Sequence, residues 1–294
     1  MSRFFRLRQE PVKYAPDSVH LSADDLARDP ALPITLHQVN QLPDNAKLRV
    51  YRGILPPVLL AKFGIDPITW RMGSEPMVRL QAEPGTGAVI LGVRKAPGAA
   101  DEFIQVELSD NAMNGIDLNF IILNNPQAEY YRTDYDAQGS PTYFGTVRRN
   151  LEEEQRAKQA GLAPGQIREG LGGSRLVLDQ LEAFLSLLGH RAYLLEPLSY
   201  VSAWMFERRG FAYVRGHKLM ATIHQEFQPG GRLYAALDGS TPFRSPDQWS
   251  TVRGRAWAIH DGILESIGTT WNELRMVKQI GRHAGVETFP QPEY

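Results

Sequence analysis

The run Arg168-Glu-Gly-Leu-Gly-Gly-Ser174 stands immediately before an apolar stripe of helical period. Glycine lets the backbone approach a ligand closely and adopt positive φ. A helix that opens on such a run presents free N–H donors and a partial positive charge, which together hold phosphate groups. Arg168, Gly170, Gly172, Gly173 and Ser174 are therefore candidate phosphate-binding residues, with Arg168 or Arg175 able to pair with the anion. A tight loop-to-helix entry explains the same glycines equally well.

Further candidates lie on either side. Glu107 is a carboxylate on the non-core side of an alternating apolar run, and Glu196 ends another run; either suits proton abstraction. Tyr200 and Tyr213 are hydroxyl acids of the right kind, although buried tyrosines commonly serve a core. His217, His224 and Glu226 form a metal set if their segment is extended, because residues two apart then share a face; His260-Asp261 would add ligands. A tyrosine-rich loop over residues 130–143 suits stacking on a planar ligand, and Arg253-Gly-Arg-Ala-Trp257 suits an anion. The Gly-x-Ser-x-Gly elbow of a serine hydrolase is missing from the sequence.

The elements that must position these residues follow from periodicity. Apolar and polar alternation predicts strands at 77–81, 88–94 and 103–108, and the nearly all-apolar 118–123 predicts a strand buried on both faces. Short connections suggest an antiparallel meander. A helix is expected over 147–161. Ser174 is expected to cap the next, whose stripe is Val177, Leu181, Phe184, Leu185 and Leu188. A strand at 192–195, a helix capped by Ser199 and stopped by Gly210, and a strand at 211–214 follow. Residues 219–226 read as extended, 228–248 as a turn-rich loop, and 256–267 and 270–280 as helices. Brief helices are expected near 23–27 and 57–63.

This order resembles the GNAT superfamily of acyl-CoA-dependent N-acyltransferases over residues 77–220. In that family an antiparallel meander leads to a strand, a glycine loop opening a helix, then strand, helix and strand. The family's second helix reads Asn-x-x-Ala-x-x-x-Tyr-x-x-x-Gly-Phe; here Gly210 and Phe211 match its end, and Ala203 stands one position nearer to them than the motif's alanine. Phe206 stands where the family often carries a tyrosine acid, Tyr200 replaces the asparagine, and the first glycine of the loop comes one position early. The resemblance implies an α/β (α+β) fold with a mixed, mostly antiparallel sheet flanked by helices. It also implies acetyl-CoA or another acyl-CoA as cofactor, held through Leu123 and Asn125 at a strand end and through the glycine loop. A V-shaped opening between the strands at 118–123 and 192–195 is expected with it. Glu107, Glu196 and Tyr200 are then the catalytic candidates.

Composition bounds the rest. The 294 residues carry 32 basic and 33 acidic side chains, a balance that argues against nucleic acid or an anionic membrane as bulk partners. No cysteine occurs, so thiol nucleophiles, disulfides and cysteine metal sites are excluded. The basic N-terminus lacks the apolar stretch of a signal peptide and no run is long enough to span a membrane, so a cytoplasmic protein is expected. The expected organisation is an N-terminal extension packed on the core (1–75), an acyltransferase-like core (76–220) and a C-terminal loop and helical extension (221–294). The acceptor would be a small molecule or a peptide, and a homodimer stays open. Two alternatives are a binding protein that keeps the fold without the chemistry, and a metal-dependent enzyme built on His217, His224 and Glu226.

Overall fold

The computed structural model describes residues 32–99, 101–272, 274–290 and 292. The helix expected at 23–27 lies outside them. The described chain runs α1 (Leu36–Asn40), α2 (Asp44–Tyr51), α3 (Pro57–Lys62), a small hairpin β1 (Arg71–Met72) and β2 (Glu75–Pro76), then the strands β3 (Val78–Gln81), β4 (Ala88–Arg94), β5 (Glu102–Asp110) and β6 (Ile116–Leu123). After α4 (Leu151–Gln159) come α5 (Ser174–Leu187), β7 (Ala192–Leu195), α6 (Tyr200–Arg208), β8 (Ala212–Arg215), α7 (His217–Glu226), α8 (Arg232–Ala235), α9 (Val252–His260) and β9 (Arg275–Gln279).

The fold is mixed α and β. Seven strands form one sheet in the order β3-β4-β5-β6-β7-β9-β8. Every neighbouring pair is antiparallel except β6 and β7, which α5 joins as a crossover. Alternation sorts the two faces. Val89, Leu91 and Val93 of β4 and Ile104, Val106 and Leu108 of β5 are buried in one cluster with residues of α1–α3 and α5. The opposite face carries cross-strand rows of another character: Arg79, Gly92, Gln105 and Ile122 in one, Gln81, Ile90, Glu107 and Phe120 in the next. Glu102 lies across Gly92, where a Cβ would overlap its carboxylate, and Arg79 holds it at 2.7 Å.

The α5 stripe is buried as its spacing requires. Ser199 caps α6 by accepting from the Ser202 N–H at 3.2 Å. Gly210 ends that helix with φ +84, and an added Cβ would meet the His283 Cα at 2.8 Å. The Ala203, Gly210 and Phe211 spacing therefore has a packing explanation: two are fully buried, and the glycine admits the C-terminal segment.

Three expectations are corrected. Residues 270–280 are not a helix; they contain β9, which inserts between β7 and β8, with Met276 and Lys278 alternating inward. Residues 219–226 are not extended but belong to α7. Ser174 is the first residue of α5 and Gly173 its N-cap. The sheet thus draws a strand from the segment beyond residue 220. None of the described helices is long and apolar enough to cross a membrane.

Residues 126–150 leave the top of β6 and are anchored by an ion network. Arg149 bridges Glu154 and Asp261, Arg244 joins Asp261 at 2.9 Å, and His260 Nε2 lies 3.2 Å from Glu154. Burial raises the Glu154 carboxyl, but His260 and Arg149 outweigh it and hold the pKa below the ordinary 4.5. At Asp261, burial is likewise outweighed by Arg149, Thr241 and Arg244. A depressed carboxylate pKa gives stabilisation that is complete above the unfolded value and lost as pH falls through the folded value. Urea unfolding of Glu154→Gln and Asp261→Asn should therefore show a deficit at pH 7 that shrinks below about pH 4; a constant offset at every pH contradicts this. Arg149→Ala should cost about 3 kcal/mol at pH 7, because it removes the cation shared by two nearly buried carboxylates and leaves Glu154 to His260 and Asp261 to Arg244 and Thr241.

Candidate functional site

The site begins with a mismatch in strand length. β6 has eight residues and β7 four, and they pair only at Ile116–Tyr193, Asp117–Leu194 and Leu118–Leu195. Pro197 then denies β7 a further ladder donor. β6 continues to Leu123 with its other edge on β5, where one extra residue makes a bulge opposite Glu107 and Leu108. The pairing thus ends after three residue pairs.

At the far end of β6 the glycine loop returns to the open edge. Leu171 N–H donates to the Leu123 carbonyl and Asn125 N–H to the Glu169 carbonyl, both at 2.8 Å. Strand alternation aims the Leu123 N–H at this edge too, and among the described residues it has no backbone partner outside regular elements. Leu123 therefore keeps a donor for a ligand, whereas the Asn125 N–H is already spent on Glu169. The Asn125 side chain accepts from the Gln127 N–H at 3.1 Å.

Gly172 then turns the chain into α5 with φ +72, and no atom lies within 4 Å of the place its Cβ would take. Gly170 sits against the Leu123 carbonyl. Gly173 caps α5 without any side-chain hydrogen bond, so the first N–H groups of the helix stay available. The Ser174 hydroxyl instead accepts from Arg209 Nη2 at 3.0 Å. Burial and then the Arg175 charge push the Arg209 pKa down. Arg209, Arg175 and a positive helix end thus lie near one another, with the exposed Asp179, which pairs with Arg175 at 3.6 Å, as a carboxylate beside them. Arg168 points elsewhere: it donates to the Ala128 carbonyl at 2.6 Å, reaches Asp101 at 3.3 Å and lies 5.0 Å over the Tyr130 ring. Arg209 is the residue that sequence reasoning missed; only its neighbourhood to the Gly210-Phe211 pair marked it.

The acid and base candidates are not gathered into one constellation. Glu107 lies on the open sheet face beside Phe120 and accepts from Gln105 at 2.6 Å. Glu196 is 64% exposed and ion-paired with Arg275 at 3.2 Å. Tyr200 is buried in the cluster of α6 and α9, where burial pushes its pKa up to about 12 against the nearby Arg255 charge. Tyr213 donates to the buried Glu207 at 2.6 Å. Phe206 packs on Phe211.

The metal set disperses because its segment is helical. His224 and Glu226, two apart on α7, point about 200° apart. His224 Nδ1 lies 3.2 Å from Arg255 and Glu226 pairs with Arg232 at 3.0 Å. Among the described residues no three His, Asp or Glu side chains gather as metal ligands.

Replacing Arg209 with alanine should weaken binding of inorganic pyrophosphate about tenfold, the worth of one charge-assisted hydrogen bond. Calorimetry at low salt reads this directly; unchanged affinity removes Arg209 from the site. Comparison with protein-family models, curated proteins and solved structures finds no match to this chain.

Proposed function

We propose that the chain binds an acyl-CoA and transfers its acyl group to an amine or a similar nucleophile. One observation carries the reading: the Leu123 N–H, left over where the glycine loop pairs with the upper edge of β6, lies beside the uncapped start of α5. A thioester whose carbonyl accepts from the Leu123 N–H is polarised there, while the glycine loop and helix start face its phosphates. The element order supports the same reading, from antiparallel meander through glycine loop and crossover helix to β7, α6 and β8. In the reaction the acceptor nitrogen bonds to the acyl carbon, its proton passes to a carboxylate or water, and the CoA thiolate leaves. Glu107, on the open face, is the best-placed carboxylate.

A second reading has its own support. Phe206 has no proton to give, Tyr200 is a buried weak acid and Glu196 is tied to Arg275. A protein that binds CoA without transfer fits these three facts.

Titration with acetyl-CoA and with free CoA separates the cases. Binding should raise the unfolding free energy by about 2.7 kcal/mol at a hundredfold excess over Kd. Absence of both heat and thermal shift at high micromolar ligand overturns the proposal. Binding without thiol release across amines, alcohols and peptides selects the second reading.

A further inference from the structure

Tyr143, Phe144 and Gly145 hold three consecutive left-handed backbone conformations, with φ of 51°, 57° and 78°. That conformation is disfavoured for residues with a side chain, because Cβ crowds the following carbonyl oxygen. Burial does not compensate for it, since Tyr143 is 63% and Phe144 50% exposed. The surroundings impose it. Gly145 and Val147 both donate to the Thr142 carbonyl, and the fully buried Thr142 is tied to Thr133 at 2.8 Å. The His260 ring lies so close beneath Gly145 that a Cβ there would overlap it, and Glu154 holds His260. Backbone strain fixed by its surroundings, with aromatic side chains left half-exposed, is characteristic of ligand clamps.

Its neighbours indicate the ligand. Phe144 meets Phe120 of β6 edge-on at 5.9 Å, and Glu107 is the cross-strand neighbour of Phe120. Arginines lie over the rings of Tyr130, Tyr131 and Tyr135 in the same insertion. The Tyr143 side chain has no hydrogen bond, ring contact or cation among the described residues. Glu107 makes no direct ion pair among them; it accepts from Gln105 at 2.6 Å and feels the charge of Arg79, which is itself paired with Glu102.

We infer that Tyr143 and Phe144 form a preorganised aromatic platform for the planar apolar part of an acceptor amine, whose ammonium end faces Glu107. The role as acceptor subsite rests on the acyl-transfer reading; the platform itself does not.

The test uses the full chain with 2-phenylethylamine and n-butylamine, which share the charge and differ in the ring. Phenylethylamine should bind about tenfold more tightly, by calorimetry or saturation-transfer NMR. Phe144→Ala and Tyr143→Gly should abolish that preference and leave acetyl-CoA affinity unchanged, and Tyr143→Gly should not lower Tm. Glu107→Gln should weaken both amines alike. Equal binding of the two amines overturns the platform. So does a Tm loss of several degrees in Tyr143→Gly, which would assign the ring to the fold. If the ring preference holds but acetyl-CoA does not bind, the platform stands and acyl transfer falls; acetyl-CoA binding with no ring preference gives the reverse.

Discussion

Parallel pairing between a strand of eight residues and one of four is the constraint from which the rest of the candidate site follows. β7 stops at Leu195 because Glu196-Pro197 cannot extend the ladder, and α6 then starts at Tyr200 behind its Ser199 cap. The upper half of β6 must find other partners for its outward backbone groups, since buried groups left unpaired are costly. The glycine loop supplies them for the Leu123 carbonyl and the Asn125 N–H. That short ladder fixes where α5 begins, and left-handed Gly172 makes the turn from ladder to helix. An open strand edge and an uncapped helix start are neighbours as a result.

Charge is treated in two ways across the molecule. Around Asp261 and Glu154 every carboxylate has a cation, and the network locks the 126–150 insertion to α9. The fully buried Arg255 is stacked 3.6 Å from the Phe289 ring and donates to the Trp249 carbonyl. At the start of α5, Arg209 and Arg175 lie near a positive helix end, and Asp179 pairs with Arg175 at 3.6 Å on exposed surface.

Much of the fold was legible because it is local. The α5 stripe, the β5 alternation, the Ser199 cap and the Gly210 stop are each written in consecutive residues and recur in the structure. What escaped depends on distant partners. Residues 270–280 read as helix, and only the insertion of β9 between β7 and β8 makes a strand of them. Residues 219–226 read as extended until their packing against the α6 and α9 cluster is known. The left-handed turn has no local signal at all, since tyrosine and phenylalanine do not favour it; Thr142 and the distant His260 impose it. Within the site, the glycine loop was readable, but not Arg209, nor that Arg168 turns away and that the Asn125 N–H is spent.

In the acyl-CoA reading, the β6 edge and the α5 start form one ligand site. Amide hydrogen exchange, followed residue by residue with and without saturating acetyl-CoA, tests it most directly. Leu123 and the amides of Ser174, Arg175 and Leu176 should slow together on ligand binding, while the amides of α9 stay unchanged. Bound ligand with unaltered exchange at Leu123 and at the α5 start would contradict it.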